Sequence, residues 1–304
     1  MSFHLGLDLG GTNIKTVVLK RDGEALLIVD DGSVPTDADS GPEVVTERLI
    51  ETASEVLEGH APIETVGLGV PGLFDPETGD VELFPNLPGP WPGYPLRRLL
   101  SNGIGREVIL INDARAFTLA EGTMGAGRGC RVIVAVVLGT GVGGGIMIDG
   151  RLHLGAFGTA GEIAHQVIDP DGALCGCGNR GCVETLTKAD ALTSLAGLDS
   201  AEEVFAAAAD GDERALDAID QVAEYLGLAL ANAVTLLGPD RVIVGGGISE
   251  AGALVLDPIT RVVKERVTLV PADRIEVVPA ELGLLAGAVG AALAGLDQVE
   301  TRSR

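Results

Sequence analysis

FHLGLDLGGTNIKTVVLK, residues 3–20, and VIVAVVLGTGVGGGIMID, residues 132–149, are two renderings of one pattern. Each is an apolar β-rich run, a turn built from glycine and threonine, and a second β-rich run. Two such runs joined by a short Gly-rich turn form a β-hairpin. Recurrence of the unit near mid-chain points to an ancient duplication, each half opening on a hairpin whose tip faces a shared cleft.

Beyond the first hairpin, a third strand is predicted over Glu24–Asp30 and a helix over about Pro42–Leu57, with Val45, Leu49, Ile50, Ala53 and Leu57 at helical spacing. A strand (Thr65–Val70), a Pro/Gly-rich loop (Pro71–Pro95), a short helix, a strand (Glu107–Ile111) and a helix from Ala114 follow. The second half again sets strands before helices. It has a long helix near Glu213–Leu237, a strand at Arg241–Val244 entering Gly245-Gly246-Gly247, and a last helix over Leu282–Leu296 placed to cross back onto the first half. Alternating strands and helices argue an α/β fold around a mostly central sheet.

The densest chemistry lies in His165–Glu184, HQVIDPDGALCGCGNRGCVE. His165, Cys175, Cys177 and Cys182 make a Cys₃His set, the thiolate and imidazole mix that tetrahedral Zn²⁺ prefers. Gly172, Gly176, Gly178 and Gly181 let the backbone turn tightly enough to aim all four at one point. The competing reading is a few buried thiols beside an unrelated histidine. Four protein ligands leave no open position, so a zinc ion here is structural. Glu162 and Glu184 flank the cluster, are not needed as ligands, and suit a binding site on a stiffened loop.

Composition sets bounds. At 304 residues and 46% apolar content the chain can bury the core of one large domain or two. The start, MSFHLGLDLGG, lacks a basic region and places Asp8 in its early apolar run, so no signal peptide is expected. Leu284–Leu296 is too short to span a bilayer, so no membrane is expected and the location is cytoplasmic. In that reducing setting clustered cysteines bind metal more often than they pair, and solitary Cys130 is expected in the core. The net charge of −23 (21 basic against 44 acidic residues) repels phosphate backbones and argues against nucleic acid as a partner. General solubility or an acid-biased source also accounts for that charge. A nucleotide site must then rely on backbone amides, helix termini and Mg²⁺.

G-x-G-x-x-G occurs at Gly67/Gly69/Gly72 and at Gly139/Gly141/Gly144, but neither opens a helix, so a dinucleotide fold is rejected. No phosphate-binding G-x-x-x-x-G-K-[ST] is present. The hairpin tips remain: Gly10, Gly11, Thr12 and Asn13 after Asp8, and Gly139, Thr140, Gly141, Gly143 and Gly144. Such tips bring N–H groups against phosphate oxygens, with threonine hydroxyls as further donors. Asp8 can hold Mg²⁺ through water. A plain tight turn is the alternative for each. Asn112-Asp113, at a strand-to-helix junction, projects into a cleft; alternatively Asp113 is an N-cap.

Taken together, LDLGGTNIK, the Asn112-Asp113 pair, VVLGTGVGGGI and GEIAHQVIDPDGALCGCGNRGCVE resemble the ROK family of sugar kinases and sugar-responsive repressors. The resemblance implies a two-domain actin/hexokinase-like (ribonuclease-H-like) fold with a duplicated βββαβαβα core and a cleft between lobes. It implies a small α/β domain, residues 1–112 with a C-terminal helix at about 282–304, and a large one, residues 113–281, bearing the zinc loop. It implies ATP with Mg²⁺ as donor and phosphorylation of a hexose, glucose to glucose 6-phosphate first among them, in a homodimer or homotetramer. Asp113 becomes the catalytic base, and Asn86, Asn112, Glu162, His165 and Glu184 sugar ligands. Gly6–Asn13 and Gly139–Ile146 cradle ATP phosphates, with Gly246 beside the nucleoside. The chain departs from the pattern at Arg115 and Phe117, where asparagine and a small residue are usual, and in the loop around Trp91, which puts the hexose in question. N-acetylmannosamine, N-acetylglucosamine and fructose kinases, polyphosphate as donor, and a non-catalytic sugar-sensing regulator are the alternatives. Against a repressor, the first strand begins at Phe3 with no helix-turn-helix ahead of it.

Overall fold

Strand β1 (Ser2–Leu9) shows no alternation between covered and exposed residues: His4, Leu5, Gly6 and Leu7 are all buried, as in a strand covered on both faces. It pairs antiparallel with β2 (Asn13–Asp22), which pairs antiparallel with β3 (Ala25–Pro35). Helix α1 (Pro42–Gly59) leads to β4 (Ile63–Val70), parallel to β1. A ribbon of β5 (Leu73–Phe74) and β6 (Val81–Leu83), then helix α2 (Leu96–Ile104), precede β7 (Val108–Asn112), parallel to β4. Helix α3 (Asp113–Thr123) follows directly.

The plan then repeats. Strands β8 (Val132–Leu138), β9 (Val142–Ile148) and β10 (Arg151–Leu152) are antiparallel neighbours. Helices α4 (Val183–Thr187), α5 (Ala189–Ala196), α6 (Ala201–Ala209) and α7 (Glu213–Leu237) come next. Strand β11 (Arg241–Gly245) returns parallel to β8, and after α8 (Ala253–Arg266) strand β12 (Val277–Pro279) lies parallel to β11. Helix α9 (Ala286–Arg302) ends the chain. The sheet orders are β3-β2-β1-β4-β7 and β10-β9-β8-β11-β12. Position by position the order and the strand directions agree, so the duplication is visible in topology as well as in the hairpins.

The structure is a computed structural model describing residues 1–60, 62–85, 87–247 and 251–302. The chain separates into two compact units, Met1–Ala120 with Leu284–Arg304, and Glu121–Gly283. It passes between them within α3 and again at Gly283–Leu284. In the first unit Leu5, Leu7, Val66 and Leu68 bury against Val45, Leu49 and Ala53 of α1. In the second, β8 and β11 bury against Leu226, Leu230 and Val234 of α7. Among the described residues no helix is long and apolar enough to cross a membrane.

Helix α9 joins the first unit by backbone contact. Gly6 and Gly67 are register partners on β1 and β4. A Cβ on Gly6 would lie 1.9 Å from Ala288 O and one on Gly67 1.8 Å from Ala291 O, both on α9. Conversely, a Cβ on Gly290 would lie 1.8 Å from Ala116 O of α3. Three glycines thus let one helix touch two strands and another helix, main chain to main chain.

Several elements differ from their sequence patterns. Strand β3 runs to Pro35 rather than stopping at Asp30, because its ladder with β2 extends to the Asn13–Pro35 pair regardless of the intervening acids. The last helix starts at Ala286, not Leu282, since Gly283 has φ +54° and the Glu281 and Leu282 N–H groups are bonded elsewhere, to Glu121. Cys130 is half-buried just ahead of β8 and not a core residue.

Gly67→Ala is expected to destabilise the protein by at least the ~1–3 kcal/mol typical of an overpacked core, read as a lower urea midpoint with an unchanged slope. A midpoint equal to that of the parent protein would place α9 elsewhere.

Candidate active site

In the first unit the parallel strands β1, β4 and β7 end together, at Leu9, Val70 and Asn112. Carboxyl ends of parallel strands are where open α/β sheets bind ligands. Asp8 lies here, facing its antiparallel partner Lys15. Burial pushes the Asp8 carboxyl above its ordinary range, with Lys15 pulling the other way. Its oxygens sit against α9, 2.5 Å from where a Cβ on Gly287 would be. The adjoining loop, Gly10–Thr12, is closed by Gly10 N–H donating to Asn13 O at 3.0 Å. It is braced from β3's end, where Thr36 donates its N–H to Thr12 O (2.9 Å) and its hydroxyl to Gly10 O (2.7 Å).

At β7's end the division of labour between Asn112 and Asp113 differs from the sequence alternative of an Asp113 cap. Asn112 Oδ1 accepts the Arg115 N–H at 3.2 Å, the three-residue reach of an N-cap. Asp113 is the first helical residue. The Asn112 amide also donates to Gly72 O (3.1 Å) and to Asp113 Oδ1 (3.0 Å), and Ala114 N–H reaches that same oxygen at 2.8 Å. Asn112 therefore caps the helix, ties it to the turn after β4, and steers the neighbouring carboxylate. Asn86 lies outside the described residues.

The second unit assembles its part around β8 and β9. Only Gly139, Thr140 and Gly141 form the turn between them, with Gly139 N–H donating to Gly141 O at 2.9 Å. Gly143 and Gly144 lie within β9, opposite Val137 and Val136. There the missing side chain of Gly144 makes room for Gly161 O, 2.7 Å from a would-be Cβ, in the segment leading to Glu162 and His165. Gly246, at φ +90°, abuts Leu138 at the foot of the same turn, 2.2 Å from its carbonyl oxygen by the same measure.

The Cys₃His set converges. Ligand atoms of His165, Cys175, Cys177 and Cys182 all lie within 4.8 Å of one another. Cys177 Sγ is 3.6 Å from Cys182 Sγ, and Cys175 Sγ is 3.6 Å from His165 Nδ1. A tetrahedral centre with metal–sulfur bonds of ~2.3 Å has edges of roughly 3.8 Å, so the donors fit such an ion. Gly181 makes the turn possible: at φ +65° it passes Asp169 O so closely that a Cβ would fall 1.4 Å from it. Burial pushes the Cys175 thiol up to about 12 and raises that of Cys182, while the Asn179 backbone N–H lowers that of Cys177. Glu184, one residue into α4, bridges this cluster to the turn. Its Oε2 is 3.5 Å from Cys175 Sγ and its Oε1 3.5 Å from Val142 N.

Two supporting residues escape a motif reading. Thr36 stands alone after β3, and Glu121 sits inside the Ala- and Gly-rich stretch that follows Asp113, where its only signal is an acid flanked by small residues.

The capping geometry carries a consequence. Asn112→Ala is expected to lower stability by about 1 kcal/mol through loss of the cap, whereas Asp113→Ala should leave the melting temperature closer to that of the parent. The reverse ranking in thermal melts would return the cap to Asp113.

Comparison with known proteins agrees with these features. The ROK family model matches residues 4–297. The glucokinase of Thermotoga maritima is 38% identical, with 95% of each chain covered. The ROK hexokinase from Thermus thermophilus superposes with a TM-score of 0.83 at 34% identity, covering 98% of this chain and 99% of that one. A ROK family glucokinase from Streptomyces griseus, crystallised in complex with glucose and AMPPNP, gives a TM-score of 0.83 at 33% identity over 97% and 100% of the two chains. With its duplicated α/β sheets and Cys₃His loop, the chain belongs to the ROK family, within the actin/hexokinase-like fold.

Proposed function

We propose that this protein is a kinase that transfers the γ-phosphoryl group of ATP to a hexose, converting glucose to glucose 6-phosphate. The observation that carries the reading is the Asn112-Asp113 junction. The helix is capped by Asn112, so the Asp113 carboxylate is not required to start α3 and serves as the base that accepts the sugar hydroxyl proton. General-base assistance of this kind is worth about 10²–10⁴ in rate. Close kinship to glucokinases, one of them bound to glucose and an ATP analogue, supports the choice of substrates.

The remaining roles follow residue by residue. Asn86, Asn112, Glu162, His165 and Glu184 bind sugar hydroxyls, carboxylates being suited to two vicinal donors at once. Gly10, Gly11, Thr12 and Asn13, together with Gly139, Thr140 and Gly141, present N–H and hydroxyl donors to the phosphates, with Gly246 at the nucleoside. Gly143 and Gly144, just past the turn in β9, line the phosphate site, and Gly144 also admits the segment leading to Glu162. Asp8 would hold Mg²⁺, which when bound would supply positive charge against that building on the transferred phosphoryl group. His165, Cys175, Cys177 and Cys182 hold a structural Zn²⁺. With Nδ1 turned toward Cys175, the other ring nitrogen of His165 is left to donate to sugar.

Asp113→Asn is expected to bind glucose within a few-fold of the parent, melt at the same temperature, and lose about 10² or more in kcat. Turnover within a few-fold of the parent in a coupled ADP-release assay would remove Asp113 from the chemistry. Elemental analysis of fresh protein is expected to give one zinc per chain; a value far below that sinks the zinc assignment. Cys177→Ser should raise the glucose KM before it unfolds the chain, because the metal orders the loop that carries Glu184.

A further inference from the structure

The carboxylate of Glu121 is fully buried, at 0% exposure, in the last turns of α3. Three backbone N–H groups converge on it: Ala126 on Oε2 at 2.9 Å, Leu282 on Oε1 at 2.8 Å, and Glu281 shared between both oxygens at 3.1 Å. A carboxylate suits this cradle because it only accepts, with lone pairs enough for all three donors. Two of the donors belong to a segment about 160 residues away in sequence, the one that enters α9. Residues 120–121 and 283–284 are the two places where the chain passes between its units, and Glu121 fastens the stretches beside them to each other.

The contacts form a closed ring. From Asp113 the chain runs along α3 to Glu121, across its carboxylate to Glu281 and Leu282, through Gly283 into α9, and back by the backbone contact of Gly290 on Ala116. Ala116 is one helical turn from Asp113. The helix is thus held at one end by the Asn112 cap and at the other by the hydrogen bonds of the buried Glu121 carboxylate, and orphaning a buried donor there costs about 1–3 kcal/mol.

We infer that Glu121 is a positioning residue for phosphoryl transfer, acting through α3 to hold the Asp113 carboxylate in register. The inference rests on the base role proposed for Asp113. Misplacing a catalytic group by about 1 Å can cost about 10² in rate. Glu121→Gln sets an amide NH₂ against backbone N–H groups in either orientation of the side chain. Gly125→Ala gives a second variant that keeps the charge, since its Cβ would fall 2.2 Å from Glu121 Oε2 and push the carboxylate off its donors.

The test is a double-mutant cycle with Asp113→Asn, with kcat expressed per glucose-binding site counted by titration. Each of Glu121→Gln and Gly125→Ala is expected to lower kcat about 10- to 100-fold, with the glucose dissociation constant within a few-fold of the parent. In the Asp113→Asn background, neither should lower the residual rate further. Unchanged kcat per binding site, or an equal further drop in the Asp113→Asn background, overturns the inference. So does failure of both variants to fold, which would make the carboxylate purely structural. If Asp113→Asn alone leaves kcat unchanged, it is the base assignment that falls, and the single-variant kcat values report this separately.

Discussion

The close approach of α9 to the glycine pair Gly6 and Gly67 is the contact on which the first unit depends. Packing between side chains tolerates adjustment, because a methyl group can rotate or a neighbour can shift. Carbonyl oxygens of a helix resting on the Cα atoms of two strands have no such slack. The same helix passes the Asp8 carboxylate at Gly287 and the Asp113 helix at Gly290. One seam of missing side chains therefore sets where two of the chemically important carboxylates stand. The buried carboxylate of Glu121 holds Glu281 and Leu282, the residues ahead of this helix in the chain.

The second unit solves a similar problem with different means. Its turn between β8 and β9 is short, and Gly144 after it makes room for the segment bearing Glu162 and His165. Glu184 then joins the thiol cluster to that turn. The Cys₃His loop and the glycine-rich hairpin, separate motifs in the sequence, are thus one neighbourhood.

Much of this was legible before any coordinates. The paired hairpins point to the duplication, and the strand orders of the two sheets match position by position. The ligand spacing in His165–Cys182 was readable because metal chemistry constrains residue type so strongly. What stayed hidden was of another kind. The glycines at 6, 67 and 290 look like ordinary small residues in apolar runs, since nothing local reveals that a helix from the far end of the chain will lie on them. The sequence offers Asp113 as the cap, but its neighbour Asn112 caps equally well, and the Arg115 N–H three residues on is bonded to Asn112. Glu121 carries no local signal because two of its partners lie far away in sequence.

The position of α9 downstream of Glu121–Gly283 also governs the order in which the two units can be completed. Chains emerge from the ribosome amino end first, and domains generally fold as units while synthesis continues. Residues 1–120 are made before residues 121–283 yet lack the helix that covers their sheet until residues 286–302 follow. The middle segment, Glu121–Gly283, has all its own strands and helices sooner. Of the two units, the one begun first is therefore finished last, and the nascent protein carries an uncovered glycine-lined sheet face while the whole of the second unit is being made.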